Sequence, residues 1–208
     1  MNDTLEYIQK KYNLDLTKPS PFILSLNRLV DLPQLFKELG FKSGVEVGVL
    51  EGKFSEILCK ELPEATIYSV DPWKWYPVAG NFRPARKYEP IYQKTKELLS
   101  KYANSVIIRK DSMDAIKDFP DESLDFVFID ADHRFEHVTN DIAEWSKKIK
   151  IGGIISGHDF DKGARSTQFV HAYWVVPAWC DAHRIHPWMV LNTRGERSWM
   201  WVKENASI

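Results

Sequence analysis

Apolar positions in this chain recur with two periods, and each change of period marks an element. Residues 5–14, "LEYIQKKYNL", carry apolar side chains at helical spacing, and "TKPSPF" (17–22) breaks the pattern. "LPQLFKELG" (32–40) reads as a second helix, with Pro33 in its first turn and Gly40 as its stop. From there short apolar runs alternate with helical patterns. Strands are expected at "GVEVGV" (44–49), "ATIYSVD" (65–71), "SVIIRKD" (105–111), "SLDFVFIDAD" (123–132) and "IISGHDF" (154–160). Helices are expected between them at "EGKFSEILCKELP", "IYQKTKELLSKYA", "MDAIKDFP" and "EHVTNDIAEWSKKIKIGG", the last ending at Gly152 and Gly153. Such alternation predicts an α/β fold with a parallel sheet covered on both faces. The ending departs from it. "QFVHAYWVVPAWCDAH" (168–183) looks helical with a kink or break at Pro177, and "PWMVLN" and "SWMWVK" flank "TRGER" as a terminal antiparallel hairpin.

Composition narrows the class. The 208 residues suit one domain, with residues 1–40 a helical segment packed on a core domain of 41–208. A net charge of −1 gives no basic field for nucleic acid. No apolar run approaches the roughly 20 residues a membrane helix needs, and the polar start "MNDTLEYIQKKYNLDL" has no apolar signal core. Two cysteines, Cys59 and Cys180, are too few for a disulfide framework and read as reduced thiols, so the expected location is cytoplasmic. Five of the eight tryptophans lie at position 174 or beyond, which predicts dense packing there. One connection is unusual: "PWKWYPVAGNFRPARKYEP" (72–90) is long, aromatic, proline-rich and basic.

In an open parallel sheet, ligands bind beyond the carboxyl ends of the strands, and the acids of this chain gather there. Glu46 lies in the first strand beside a glycine turn, Asp71 ends the second, Asp111 the third, Asp130 and Asp132 the fourth, and Asp159 the fifth. A strand-end aspartate is often a helix N-cap, and Asp111 and Asp132 taken alone read equally well that way. Glu46 is the anomaly, because a carboxylate in a buried strand needs a partner. The turn reads E-x-G-x-x-x-G over Glu46, Gly48 and Gly52, with Leu50 where a third glycine often stands, and it is not the dinucleotide fingerprint G-x-G-x-x-G. Glu46 and Glu51 disfavour a diphosphate at the following helix N-terminus. They suit a ligand that presents cationic and hydroxyl groups.

The segments "VEVGVLEGKFSE", "YSVDPW", "RKDSMDAI", "DFVFIDADHRFEH" and "GGIISGHDF" resemble the class I S-adenosylmethionine-dependent methyltransferases, and more narrowly methyltransferase family 24. The resemblance implies a Rossmann-like three-layer sandwich with a mostly parallel seven-stranded sheet and an antiparallel C-terminal hairpin. It implies S-adenosylmethionine as cofactor. Gly48 and Gly52 would let the backbone approach the methionine portion, Glu46 would hold its amino group, and Asp71 would accept both ribose hydroxyls. Asp111 would accept from the adenine amine, with the backbone at Ser112 and Met113 reading the ring. Trp73 would stack on or wall the pocket, or else pack in the core beneath the 72–90 loop. Asp130 would also contact the cofactor.

Methyl transfer is an in-line displacement at a carbon the cofactor has already activated. The protein has to align the acceptor and take its proton. "IDADH" and "GHDF" offer Asp130, His133, His158 and Asp159 for this. Catechol-type methyltransferases hold Mg²⁺ in this region, which implies Asp130, His158 and Asp159 as ligands here. The histidine departs from that type and admits Mn²⁺ or a softer ion, or no metal at all. Without a metal, His158, Asp130 or His133 is the candidate base. His137, four residues after His133, reads as a surface helix histidine. The resemblance further implies a small-molecule acceptor, methylated at a hydroxyl of a saccharide or secondary metabolite; no nucleic-acid or membrane partner is expected, and a homodimer is the expected assembly. The 72–90 loop would be a lid or acceptor wall whose basic residues suit an acidic acceptor. Two readings compete. The absent G-x-G-x-x-G and the terminal hairpin argue against an NAD-dependent oxidoreductase, and intact "IDADH" and "GHDF" argue against a non-catalytic S-adenosylmethionine-binding protein.

Overall fold

The computed structural model describes residues 3–76, 84–161, 170–193 and 196–205. They form one mixed sheet of eight strands: β1 (Phe22–Leu24), β2 (Ser43–Val47), β3 (Thr66–Val70), β4 (Ser105–Ile108), β5 (Leu124–Ile129), β6 (Ile149–Gly157), β7 (Trp188–Thr193) and β8 (Glu196–Val202). Their spatial order is β1-β7-β8-β6-β5-β2-β3-β4. Neighbours from β4 across to β6 pair in parallel, while β8 runs antiparallel between β6 and β7. The seven strands expected from the sequence are all present. The eighth, β1, pairs in parallel with β7 and is only 3 residues long, too short to declare a period of its own.

Residues two apart on a strand share a face, and the sheet sorts its side chains accordingly. Val45, Val47, Val127, Ile129 and Ile155 enter one core layer, with α6 (Phe135–Lys148) and α7 (Ala172–Ala182) over them. Phe126, Phe128 and Ile154 enter the other, under α1 (Asp3–Tyr12), α2 (Asp31–Glu38) and α3 (Lys53–Glu61). Leu5, Ile8, Leu24, Leu32, Leu35 and Phe36 belong to this second layer, so the first 40 residues form part of its wall. Trp188, Trp199 and Trp201 lie in the first layer, the last two stacked with ring centroids 5.1 Å apart. α4 (Tyr88–Leu99) packs beside α3, and α5 (Ser112–Ala115) is a single turn after β4.

Two local expectations give way. α6 ends at Lys148, and Gly152 and Gly153 sit inside β6 instead of closing the helix. A side chain at Gly153 would stand 2.5 Å from the carbonyl oxygen of Asp125, so the glycine admits close approach of the neighbouring strand. α7 runs without interruption through Pro177. The bond the proline forgoes is the one to Tyr173 in the first turn, and buried Val175, Val176 and Cys180 pin both halves of the helix to the core. Residues 77–83 of the 72–90 loop and 194–195 of the hairpin turn lie outside the described residues.

Chain order reverses once in the parallel part. β2 leads outward to β3 and β4, whereas β5 and β6 lie on its other side. The crevice past the carboxyl ends of β2 and β5 is therefore where a ligand fits such a sheet.

Candidate active site at the carboxyl ends of the strands

The turns after β2 and β5 nearly touch. A Cβ on Gly48 would stand 2.2 Å from the carbonyl oxygen of Asp130, and Gly48 has φ +94°, so both space and backbone require glycine. Glu46 is 3% exposed and lies in register with Phe128 on β5 and Ser69 on β3. The Ser55 hydroxyl donates to its Oε2 and lies 2.7 Å from the Ser69 hydroxyl. Burial pushes the Glu46 carboxyl up to about 8, against the opposing Ser55 hydrogen bond.

The turn itself is tightly held. Leu50 sits in the left-handed region at φ +47°. Its carbonyl accepts from the Trp73 indole at 2.8 Å and from the Thr95 hydroxyl at 2.7 Å. Trp73 is buried, at φ +43°, and its ring meets Tyr92 at 5.0 Å. Asp71 Oδ2 accepts from the amides of Val49 and Leu50 at 3.0 and 2.9 Å, and Oδ1 accepts from Trp73 at 2.6 Å. A carboxylate offers about four lone-pair positions, so these three bonds leave room for about one more. Burial raises the Asp71 carboxyl while these three amides pull it down.

Asp111 precedes α5 but makes no side-chain cap; the Tyr76 hydroxyl donates to it instead, bringing the start of the 72–90 loop over the β4 end. Ser112 opens α5 and donates to Asp141, while the Trp145 indole donates to the Ser112 oxygen at 2.8 Å. Met113 follows, half-buried. Asp141 is a buried acid on the apolar stripe of α6, between Val138 and Ile142, and burial pushes it up to about 6.

On the other side of Gly48, four titratable groups meet. Asp159 Oδ1 lies 3.2 Å from His158 Nδ1, and Oδ2 lies 3.1 Å from His133 Nδ1. His158 Nδ1 is also 3.7 Å from Asp130 Oδ1. Ligand atoms of Asp130, His133 and Asp159 all lie within 4.8 Å of one another, a geometry that suits a metal ion. His158 was the histidine expected in such a set, but its Nε2 is buried without a hydrogen-bond partner among the described residues. It faces the acids from below, while His133 keeps 29% of its side chain exposed. Desolvation first, then the Asp159 charge, pushes Asp130 up to about 6. Burial opposes the shifts at His158 and Asp159, yet their mutual hydrogen bond raises the imidazole and lowers the carboxyl. Asp159 holds φ +57°, a left-handed conformation costly for a non-glycine residue and typical of functional sites. Asp132 stands apart, engaged by Arg134, and does not join the cluster. His137, half-exposed, lies 2.7 Å from the same arginine.

Arg28 is the site residue that sequence patterns miss. It belongs to the N-terminal segment, carries no motif, and its charge acts on Glu46, Asp130, His158 and Asp159. Asp141 did leave a signal: an acid at a position of the α6 stripe that periodicity assigns to the core.

A family model described as a methyltransferase domain matches residues 45–160. No match was found among curated proteins. Among solved structures, the O-methyltransferase from Bacillus cereus in complex with SAH is 18% identical, with a TM-score of 0.61 over 98% of this chain and 92% of that one. The O-methyltransferase TomG from Streptomyces achromogenes, in complex with SAM, is 12% identical with a TM-score of 0.63, covering 98% and 91%. A SAM-dependent O-methyltransferase from Thermotoga maritima is 11% identical with a TM-score of 0.60, covering 99% of this chain and 72% of that one. At these identities the likeness is one of fold.

Proposed function

The chain belongs to methyltransferase family 24, of the class I S-adenosylmethionine-dependent fold, and on that premise we propose that it transfers a methyl group from S-adenosylmethionine to a hydroxyl oxygen of a small molecule. The observation that carries the reading is the meeting of two chemistries at one crevice: a glycine turn with a buried acid on one side of Gly48, and the Asp130–His133–Asp159 cluster on the other.

The residues fit the cofactor. Gly48 lets the turn after β2 lie against the turn after β5, and the acids flank that junction without a phosphate-binding amide cradle. When bound, S-adenosylmethionine supplies an electrophilic methyl group on a sulfonium. Glu46 binds the ammonium of its amino-acid end. Asp71, with about one lone pair left by the turn amides, accepts one ribose hydroxyl, not both. Asp111 accepts from the adenine amine, and its bond from the Tyr76 hydroxyl sets that phenol beside the ring. Trp73 acts from beneath by fixing Leu50. Ser112 and Met113 border the ring through their backbone.

At the other end His133 takes the acceptor's proton at Nε2. Its Nδ1–H points to Asp159, which fixes the tautomer and stabilises the imidazolium that forms. His158 holds Asp159 and Asp130 in place. A second reading rests on the three-ligand geometry: a divalent cation, held by Asp130, His133 and Asp159, would acidify the acceptor hydroxyl. Two carboxylates with one imidazole suit Mn²⁺ better than Mg²⁺. Lys74, Arg86 and Lys87, in the described parts of the 72–90 loop, favour an acidic saccharide or secondary metabolite as acceptor.

Thermal unfolding with S-adenosylhomocysteine, NAD or neither tests the cofactor. At 100 times its dissociation constant a native-only ligand adds roughly 2.7 kcal/mol, a rise of about 5–11 °C for this size. A shift with NAD alone, or none with S-adenosylhomocysteine, overturns the reading. Turnover of hydroxyl-bearing acceptors that survives EDTA assigns the proton to His133 alone; turnover lost in EDTA and restored by Mn²⁺ assigns it to the metal arrangement.

A further inference from the structure

We propose that His171, at the start of α7, is a positioning residue for proton removal: it fixes the backbone that carries His133 and so sets His133 against Asp159. This rests on the His133 reading above. The two partners come from different connections. His133 follows β5, Asp159 follows β6, and neither lies in a helix or strand. Their 3.1 Å contact therefore depends on a third element that ties both connections together. A misplacement of about 1 Å at a reacting group costs about a hundredfold in rate, so the tie bears on the chemistry.

The first turn of α7 is that element. The His171 amide donates to the His133 carbonyl at 2.9 Å. The His171 ring returns to the same segment, where its Nδ1 accepts from the Phe135 amide at 2.8 Å. Phe135 begins α6, where an amide has no partner within the helix, and Arg134 before it supplies no side-chain cap. Between these bonds the Arg134 amide donates to Asp132 Oδ1 at 3.0 Å. Residues 133 to 135 are thus held one after another, the first and last by His171. His171 is itself anchored. Its carbonyl accepts from the Trp174 and Val175 amides at 2.9 and 3.0 Å, and Ala172, Val175 and Val176 are buried in the core. The same turn reaches the other partner. The Tyr173 ring lies 5.1 Å from that of Phe160, which follows Asp159, is buried, and also meets Trp188 at 5.6 Å. A left-handed residue such as Asp159 persists where its surroundings over-determine it, and this packing does so. One helix turn braces His133 through hydrogen bonds and Asp159 through ring contact.

The ring state of His133 reads the arrangement without any acceptor. To donate to Asp159, the neutral ring must carry its hydrogen on Nδ1. Nitrogen-15 NMR of histidine-labelled protein reports this at pH 9 in EDTA, where an imidazole is neutral, with H133Q assigning the signal. The native protein is expected to show Nδ1–H. H171L is expected to lose that form, His133 reverting to Nε2–H. H171N offers the Phe135 amide a carbonyl oxygen at a reach similar to Nδ1, and is expected to keep it. Calorimetric affinity for S-adenosylhomocysteine is expected to stay within about twofold in both variants, because the cofactor half of the site is not touched. Retention of Nδ1–H in H171L, its loss in H171L and H171N alike, or a parallel loss of S-adenosylhomocysteine affinity would overturn the proposal. A native protein whose His133 carries Nε2–H would overturn the His133 reading itself, a distinct result.

Discussion

If Glu46 receives the cofactor's ammonium, cofactor affinity must depend on pH in a defined way. Burial pushes the Glu46 carboxyl up to about 8. At pH 7 about one molecule in ten then carries the ionised form, and only that form attracts an ammonium. The apparent dissociation constant is raised by the reciprocal of the ionised fraction, roughly a hundredfold at pH 6, tenfold at pH 7 and twofold at pH 8. Affinity for S-adenosylhomocysteine should therefore strengthen about fiftyfold from pH 6 to 8, about 2 kcal/mol, and then level off. Calorimetry in two buffers of contrasting ionisation heat should show close to one proton released per ligand at pH 7. E46Q should flatten the profile and bind at pH 8 about as weakly as the native protein binds at pH 6. A flat native profile with no proton release would refute the assignment of Glu46.

The same group makes a stability claim whose sign follows from its direction. The folded pKa, about 8, lies above the ordinary value of 4.5, so the folded state holds a proton the unfolded chain has lost. The contribution is full below 4.5 and disappears as pH rises through about 8. Across that window it is worth at most roughly 5 kcal/mol in the ligand-free protein. Denaturant melts of E46Q should lose this slope, and cofactor should stabilise the native protein more at pH 8 than at pH 6.

Other perturbations read the rest of the site. H133Q should lower kcat by about 10²- to 10⁴-fold and leave S-adenosylhomocysteine affinity unchanged, as steady-state kinetics and calorimetry can separate. G48A forces a Cβ to within 2.2 Å of the Asp130 carbonyl oxygen at φ +94°, and should cost about 3 kcal/mol or more by denaturant melt. D141N keeps an acceptor for Ser112 and sheds a carboxyl that burial pushes up to about 6, so at pH 8 it should be neutral or stabilising, whereas D141L should lose about 1–3 kcal/mol.

Much of this architecture was legible because each element obeys one period. The parallel strands read as short apolar runs because both of their faces feed core layers, and the hairpin read as one because two such runs flank "TRGER". What escaped needed partners, not periods. β1 exists through its pairing with β7, and the end of α6 moved because Gly152 and Gly153 serve strand contact. Glu46 stood out because a carboxylate breaks a valine run; Asp141 did not, although it sits on the apolar stripe of a helix.

The strand-end acids make the sharper case. In sequence Asp71, Asp111, Asp130 and Asp159 are the same kind of residue at the same kind of place. In three dimensions their free lone pairs differ. Asp71 spends three on backbone amides and becomes part of the turn it follows. Asp111 takes a phenol from the loop above it. Asp130 and Asp159 are engaged with imidazoles, groups whose protonation changes near neutral pH. This last arrangement is the one the proposed proton transfer uses, and "IDADH" and "GHDF" mark its four residues; which imidazole meets Asp130 and which stays more open is decided by what the carboxylates touch.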